Sequence, residues 1–304
     1  MKKLSAFLAV ITIAALSLFV GSRTGESQAG QLNLAIYAPS VNFGTSAARL
    51  EYLQRLGSAL ERATGKKVRP QAFSNLAQLQ RAKPDFAIID AQCVASKRYK
   101  VLANAVVGGS TTRRWALYSN SGTSMQALRG KKLAYVKTGC RDTAFLENAM
   151  LESEVSLKSF FGGTVGKGDL NGAVAEVATL RGAQAVFAPS GSQKGLSKVF
   201  DSGSVPNPAF VQIGNVPGAV SSAAQKAVVG YGGGGAISGW RKANPKAYSG
   251  LRGRMGKRVK KGIFASPTPV RVDASDVMIF PSTLDDTSLP EVSQHFEEPP
   301  KRQE

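Results

Sequence analysis

Histidine is almost missing from this 304-residue chain: the sequence contains one, His295, in a segment near the C-terminus that is rich in proline and glutamate. A Ser-His-Asp or Cys-His catalytic system needs a histidine beside its nucleophile, and a histidine-based zinc site needs histidine ligands. The HExxH, GxSxG, Walker A and post-strand GxGxxG patterns are absent as well. We therefore expect a protein that is not an enzyme and that uses no metal and no cofactor.

Long apolar runs are confined to the N-terminus. After the basic start "MKK", residues 6–20 form an apolar segment that is short for a membrane span and is followed by small residues. This pattern is typical of a secretory signal peptide, with cleavage after Ser22 or Ala29. We therefore expect residues 1–29 to be removed and the mature protein to be periplasmic or secreted, with an uncleaved membrane anchor as the alternative.

Acidic residues are missing from residues 202–272, which contain eleven Lys and Arg and no Asp or Glu. Nine of these cations lie within residues 241–261, whereas residues 285–304 reverse the sign with six acids. A basic face attracts acidic polymers or anionic lipid, although a solvated basic helix with a compensating acidic tail is the simpler interpretation. No stacking-aromatic or base-reading motif accompanies the charge, so we expect no nucleic-acid partner.

Cysteine occurs twice, at Cys93 after an apolar run and at Cys140 in a polar turn. Two cysteines in an exported protein often form one disulfide bond. Two separate buried thiols, or a redox or soft-metal site, are the alternatives, and the sequence leaves all three open.

The first third of the mature chain alternates strand and helix patterns. Apolar periodicity predicts strands at 32–38, 66–73 and 84–92, with helices at 46–65 and 75–82 between them. The continuous apolar residues of the third strand are typical of a buried parallel strand. This order predicts a parallel α/β sheet.

The rest of the chain continues the alternation up to about residue 280. Residues 100–122 predict two extended segments around Gly108 and Gly109, and the four glycines 232–235 exclude a helix at that point. The other predicted elements are a short helix and a strand before residue 138, helices at 144–152 and 169–182, and strands at 183–190 and 208–214.

A polar turn, Thr138 to Thr143, separates an apolar strand from a helix that is predicted to begin near Ala144. A helix start exposes unpaired N–H groups and the positive end of the helix dipole, so it suits an anion. The competing interpretation is that Asp142 or Thr143 is an ordinary N-cap.

Several segments, taken in order, resemble the periplasmic solute-binding proteins of ABC importers, and in particular the phosphate/phosphite/phosphonate-binding (PhnD-like) branch of the type 2 fold. The most specific is "SGTSMQALRGKKLAYVKTG" (121–139), which is similar to the helix, Gly turn and strand that precede the ligand-binding helix. "LNLAIYAPS" (32–40) resembles the family's first strand, and "KPDFAIIDAQCVA" (83–95) resembles the strand and loop that reach the cleft. "NGAVAEVATLRGAQAVFAPSG" (171–191) resembles the helix and strand that close the second lobe.

The resemblance implies a two-lobed α/β fold with a hinge and an interlobe cleft. Residues 30–113 and 213–282 would form lobe I, residues 114–212 would form lobe II, and residues 283–304 would be a disordered tail. The implied function is capture of a small anion, a phosphate- or phosphonate-like oxyanion, by a monomer that closes about its hinge and delivers the solute to an ABC permease. The ligand-binding residues that the resemblance implies are Tyr37, Ser40, Asp90, Thr138, Gly139, Cys140, Arg141, Thr143 and Ser190.

Two features fit this picture poorly. Asp90 and Asp142 would repel a dianion if they faced the cleft, although Asp90 would suit the cationic part of an aminoalkylphosphonate. A bridge between Cys93 and Cys140 would join the two lobes, which a protein that closes on its ligand can hardly tolerate. The alternative function is a cell-envelope interaction protein that keeps the fold, has lost transport, and binds an acidic polymer or a membrane surface through the basic residues 241–261.

Overall fold

The computed structural model describes residues 30–190, 193 and 195–258. The signal peptide predicted for residues 1–29 and the tail predicted for residues 283–304 lie outside the described residues, as does the end of the basic stretch from residue 259 onwards. In the part of the chain that is described, no helix has the length and the apolar character that a membrane span requires.

One sheet contains six strands: β1 (Gln31–Tyr37), β2 (Lys67–Ala72), β3 (Phe86–Ile89), β4 (Lys100–Val106), β10 (Ala209–Gln212) and β11 (Gly239–Lys242). Their order across the sheet is β11-β4-β10-β3-β1-β2. β1 is parallel to β2 and β3, whereas β10 and β11 run antiparallel to their neighbours. The helices that accompany this sheet are α1 (Ser46–Thr64), α2 (Leu76–Ala82), α3 (Ala91–Lys97), α7 (Gly218–Gly230) and α8 (Pro245–Met255).

α1, which packs on this sheet, shows how the sequence determines the ends and the buried face of a helix. The Thr45 side chain accepts a hydrogen bond from the Ala48 amide at the N-terminus, and Gly65 adopts a left-handed conformation at the C-terminus. Its buried side chains recur every three or four residues and pack against the sheet: Tyr52, Leu53, Leu56 and Leu60.

The other sheet contains five strands: β5 (Thr112–Ser119), β6 (Lys132–Val136), β7 (Gly163–Lys167), β8 (Ala185–Pro189) and β9 (Ser197–Pro206). Their order is β7-β6-β8-β5-β9, with β6 parallel to β7 and β8 and with β5 antiparallel to β8 and β9. Its helices are α4 (Asp142–Ala144), which continues as a π-helix (Phe145–Met150), α5 (Leu157–Phe160) and α6 (Leu170–Ala178).

The chain crosses between the two sheets twice, from β4 to β5 and from β9 back to β10. We call the six-stranded sheet with its helices lobe I and the five-stranded sheet with its helices lobe II. The two-lobed α/β fold that the sequence predicted is confirmed. The second crossing falls at residues 207–208, a few residues before the expected boundary at residue 213.

The strand predicted over residues 84–92 is wrong in its second half. β3 ends at Ile89, the chain turns at Asp90, and α3 begins at Ala91. The two elements are both buried, so apolar periodicity alone does not separate them. This helix matters for the site because it carries Gln92 and Cys93 to the face of lobe I that meets lobe II.

The lobes share one hydrophobic cluster. It runs from the β1–β3 face and α3 of lobe I, through Cys93 and Cys140, into the core of lobe II. α8 joins this cluster through Tyr248, Leu251 and Met255. A second cluster lies entirely within lobe I, between its sheet, α1 and α7.

Candidate functional site

The carboxyl ends of the parallel strands meet between the lobes, which is where α/β sheets generally bind ligands. The loop after β1 contacts lobe II directly: the Tyr37 hydroxyl donates to the Thr138 carbonyl oxygen at 2.9 Å, and the Leu170 amide donates to the Pro39 carbonyl oxygen at 3.0 Å. The interlobe space has two parts. One is filled by protein contacts, and the other is an open cavity.

A disulfide bond between Cys93 and Cys140 lies in the filled part, where it joins α3 of lobe I to the turn before α4 of lobe II. Its two cysteines are buried. The Gln92 side-chain amide donates to the Cys140 carbonyl oxygen at 3.0 Å and to Asp142 Oδ1 at 2.7 Å. We call this set of contacts the interlobe junction.

The turn that the sequence predicted to hold an oxyanion is closed by its own carboxylate. Asp142 Oδ1 accepts from the Thr138 amide at 3.2 Å and from the Thr138 hydroxyl at 2.6 Å, and Asp142 Oδ2 accepts from the Gly139 amide at 3.0 Å. Arg141, with a left-handed φ of 61°, occupies the N-cap position, so the prediction that Asp142 or Thr143 is the N-cap is wrong. The donors of Thr138 and Gly139 in this turn are already bound to an anion, the side chain of Asp142.

A small cavity of about 30 Å³ lies beside the junction. This volume is close to that of one or two water molecules. Asp90, Asp142, Arg113 and Trp115 are among its lining residues. The buried indole N–H of Trp115 has no hydrogen-bond partner among the described residues.

Asp90 and Arg113 form the polar side of this small cavity. The Asp90 carboxylate is 2% exposed and accepts hydrogen bonds from the Ser40 amide at 2.9 Å and the Ser40 hydroxyl at 2.5 Å. Burial raises the pKa of Asp90 to about 6, while the Ser40 hydrogen bonds and the charge of Arg113 oppose that rise.

Arg113, the second residue of β5, lies just after the first crossing and contacts Asn207 in the second. Its Nε donates to Asn207 Oδ1 at 2.7 Å, and its two Nη atoms donate to the Ser40 carbonyl oxygen and hydroxyl, each at 3.2 Å. A guanidinium has five N–H donors, so two remain for another acceptor. The guanidinium also lies 5.6 Å from the centre of the Trp115 ring. Burial lowers the pKa of Arg113, and Asp90 opposes that change.

The open part of the interlobe space is a cavity of about 760 Å³, which we call the open cavity. Its size lies within the range of small-molecule sites. Its walls come from the loop after β1, the β4–β5 crossing, α6 and the end of β8. Arg113 and Arg114 line it, and none of its described lining residues is an Asp or a Glu. The described lining residues are Val41, Asn42, Val107, Gly108, Thr112, Arg113, Arg114, Leu170, Asn171, Val174, Ala175, Ala178, Thr179, Pro189, Ser190, Gln193 and Ala236.

The structure distributes the sequence-predicted ligand residues over several places. Ser40, Asp90 and Thr138 line the small cavity, whereas Ser190 lines the open cavity. Tyr37 and Cys140 are buried at the junction, and Gly139 and Arg141 are exposed on the turn. Thr143 lines a separate surface groove with Glu147 and Leu157.

Sequence reasoning did not select Arg113, Asn42 or Asn171. The available signal for Arg113 was its pairing with Arg114. The two arginines come directly before an apolar segment and lie beside the predicted lobe boundary. Within the described residues, no group of three or more His, Cys, Asp or Glu side chains is arranged to hold a metal ion.

Comparisons with known proteins give structural matches without sequence matches. No protein-family model matches the sequence, and no curated protein matches it. A binding-protein component of an ABC phosphonate transporter from Pseudomonas aeruginosa is similar in structure, with a TM-score of 0.58 and 12% identity over 73% of this chain and 84% of that one.

Two further solved structures show the same likeness. PhnD1 from Prochlorococcus marinus, in complex with methylphosphonate, has a TM-score of 0.57 and 12% identity over 75% of this chain and 98% of that one. A Xanthomonas citri protein bound to a chloride ion has a TM-score of 0.57 and 12% identity over 74% of this chain and 97% of that one. The resemblance inferred from the sequence is therefore confirmed for the fold: this chain is similar in architecture to PhnD-like type 2 periplasmic binding proteins.

Proposed function

We propose that this protein is an exported solute-binding protein that holds a small anion in the open cavity and presents it to an ABC permease. The open cavity itself carries the proposal, because it lies between loops of both lobes, is lined by Arg113 and Arg114, and has no carboxylate among its described lining residues. Arg114 pairs with Asp201 at 2.9 Å, so the proposal rests on Arg113. The likeness in fold to a phosphonate-transporter component and to a methylphosphonate-bound protein supports the same class of function. The proposal includes no covalent chemistry.

The filled part of the interlobe space is a poor place for the anion. Asp142 already accepts from Thr138 and Gly139, and Asp90 faces the same small cavity. Two like charges about 4 Å apart repel by roughly 4 kcal/mol at an effective dielectric constant of 20. We therefore place the anion on the side of Arg113 that faces the open cavity, where the guanidinium charge favours an anion.

Closure about the hinge is also part of the expected mechanism, and the junction restricts it. The disulfide, the Gln92 hydrogen bonds and α8 all connect the two lobes. We propose that the solute enters the open cavity with only a small rearrangement of the lobes. A larger movement of the lobes would require the disulfide bond to break.

Thermal unfolding with phosphate, phosphite and alkylphosphonates tests this proposal. An anion at about 100 times its Kd stabilises the folded state by about 2.7 kcal/mol, which raises the Tm of a domain of this size by several degrees. Arg113→Gln should remove most of this increase, and Arg113→Lys should keep part of it because it keeps the charge but loses the planar fork. Arg62→Gln, at an exposed position on α1, is the matched control.

Arg113 also supports the fold, so affinity is measured in parallel by calorimetry at a temperature where each variant is folded. If none of these anions shifts the wild-type Tm, the proposed function is wrong. If Arg113→Gln and Arg62→Gln bind an anion equally well, the anion lies elsewhere.

A second candidate function is attachment to an acidic envelope polymer or a membrane surface. The observation that favours it is a group of exposed cations on β11, α8 and the residues that follow: Arg241, Lys242, Lys246, Lys257 and Arg258. Binding to vesicles with anionic lipid that falls steeply with salt, together with no thermal shift from any small anion, would favour this function over solute binding.

A further inference from the structure

We propose that solute capture is coupled to a proton: Asp90 takes up a proton from solvent when an anion binds beside Arg113 in the open cavity. This inference rests on the proposed function and adds to it a regulation by pH. Three observations support it: the position of Arg113 between two cavities, a hydroxyl that connects its guanidinium with the Asp90 carboxylate, and the burial of that carboxylate.

Arg113 is the residue that the two interlobe cavities share. Among the described residues that line the small cavity and the open cavity, no other residue lines both. Asp90 lines the small cavity, whereas the proposed anion lies in the open cavity. An ionised Asp90 therefore cancels part of the positive potential that Arg113 produces at the anion position, and protonation of Asp90 restores it.

The Ser40 hydroxyl connects the two charged groups. It donates to Asp90 Oδ1 at 2.5 Å and accepts from one Nη atom of Arg113 at 3.2 Å. The Ser40 amide donates to Asp90 Oδ2 at 2.9 Å, and the Ser40 carbonyl oxygen accepts from the other Nη atom at 3.2 Å. Asn207 Oδ1 accepts from Nε of Arg113 at 2.7 Å. The guanidinium is therefore held at a fixed position relative to the carboxylate.

Burial brings the ionisation of Asp90 into a range where a nearby charge changes it. Burial raises the pKa of Asp90 to about 6, and the Ser40 hydrogen bonds and the charge of Arg113 oppose the rise. An anion in the open cavity adds a like charge and raises this pKa further, so the carboxylate takes up a proton as the anion binds. By linkage, the protonated form binds the anion more tightly by the same factor.

Among the described residues, the other titratable groups that interact with Asp90 or line the small cavity with it are Tyr37, Tyr135, Asp142 and Arg113. Burial, Asp90 and Asp142 raise the pKa of Tyr37, and burial and Asp142 raise the pKa of Tyr135, so both phenols stay neutral near pH 6. Burial lowers the pKa of Arg113 against the opposing charge of Asp90, and the guanidinium stays a cation. Asp142 accepts its hydrogen bonds from its own turn and from the junction.

Calorimetry with methylphosphonate at pH 5 to 8, in two amine buffers of different ionisation enthalpy, measures the protons taken up on binding. Wild type is compared with Asp90→Asn, which keeps an acceptor for Ser40 but does not titrate. The titration of methylphosphonate itself contributes equally to both proteins, so the difference between them reports Asp90. We expect wild type to take up about half a proton more than Asp90→Asn between about pH 6 and pH 7. The affinity of wild type relative to Asp90→Asn should fall about five- to tenfold from pH 5 to pH 8.

Asp85→Asn is the matched control for Asp90→Asn. Asp85 is also buried in lobe I, directly precedes β3, and lines neither cavity. Its variant should keep the proton uptake of the wild type. Infrared spectra of the wild type give a measurement that needs no variant: the band of a protonated carboxyl should grow when methylphosphonate is added between about pH 6 and pH 7.

The outcomes separate this inference from the proposed function. If methylphosphonate binds but wild type and Asp90→Asn take up equal numbers of protons, or the carboxyl band does not grow, the proton coupling is wrong and the proposed function stands. If Asp85→Asn loses the uptake as Asp90→Asn does, the coupling does not belong to Asp90 and the inference is overturned. If phosphate, phosphite and methylphosphonate all fail to bind to the wild type, the inference and the proposed function are both wrong.

Discussion

At the scale of single residues, Asp90 has the most unusual environment in the site. It is buried, it lines the small cavity together with Asp142, and burial raises its pKa from 3.8 to about 6. Its two hydrogen bonds from Ser40 and the charge of Arg113 favour the ionised form but do not fully offset the loss of water. Ionisation of this one residue therefore costs free energy in the folded state.

Stability should depend on the ionisation of Asp90. The folded pKa lies above the unfolded one, so between about pH 4 and pH 6 the folded protein binds more protons than the unfolded chain. The free energy of unfolding should fall as the pH rises through this window, by up to about 3 kcal/mol from this residue. Urea unfolding at pH 4 to 8 measures the slope, and Asp90→Asn should flatten it. An identical slope in wild type and Asp90→Asn would contradict the assignment.

Asp142 shows which part of a site a sequence does not reveal. The sequence correctly indicates a polar turn between β6 and a helix, with backbone donors at Thr138 and Gly139. It does not reveal that the Asp142 side chain folds back onto both donors instead of capping the helix, because that depends on the left-handed conformation of Arg141. Local propensity gives this conformation a low weight for arginine.

At the scale of elements, the four glycines between α7 and β11 differ in why they are needed. Gly233 has a φ of 72°, and a Cβ atom there would lie 2.5 Å from the Ser238 carbonyl carbon and 2.6 Å from the Ile237 carbonyl oxygen. Gly235 has a φ of 74° with open space around it, whereas Gly232 has neither constraint. The isolated bridge between Gly234 and Ile237 closes this turn and brings Ile237 into the core of lobe I.

Alanine substitutions should separate these roles. Gly233→Ala should destabilise the fold by more than about 2 kcal/mol, since both the backbone conformation and the close contact oppose it. Gly235→Ala should cost about 1 kcal/mol from the backbone alone, and Gly232→Ala should be neutral or slightly stabilising. Chemical unfolding of the three variants measures the ranking. Equal losses of stability in all three would show that neither the left-handed conformation nor the close contact determines the cost of a substitution in this turn.

Elements were predictable where periodicity was strong and missed where it was weak. α1 and the apolar strands of both sheets follow from their spacing of apolar residues. β9 was missed because "SKVFDSGSVP" is polar, exposed in part and irregularly paired with β5. α7 was missed because "GAVSSAAQKAVVG" begins and ends with glycine and has mostly short side chains on its buried face. That face is explained only by its packing on α1 and β4.

At the scale of the whole molecule, the junction decides how far the lobes move. Three connections act at the same interface: the disulfide, the hydrogen bonds of Gln92 and Tyr37, and α8. α8 follows a strand of lobe I, yet Met255 accepts a hydrogen bond from Asn148 of lobe II, and Arg254 donates to the Ser204 carbonyl oxygen. The sequence allowed a bridge between the cysteines but did not reveal that α8 contacts both lobes.

Removal of the disulfide separates its contribution from that of the other connections. The bridge spans 47 residues, and in the chain-entropy model a loop of that length contributes about 4 kcal/mol, with engineered cases often giving less. We expect the double variant Cys93→Ser with Cys140→Ser to lose about 2–4 kcal/mol of stability and to remain folded, because the shared hydrophobic cluster is otherwise intact.

The position of the bridge predicts which segments lose the most stability. Hydrogen exchange should quicken most at the turn 138–142 and in α3, since these segments lose the covalent connection, and least in α1, which packs within lobe I alone. Chemical reduction of the wild type should reproduce the pattern. Equal acceleration in α1 and in the turn would mean that the bridge only stabilises the fold as a whole. A local increase at the junction would mean that the bridge holds the two lobes together at this point.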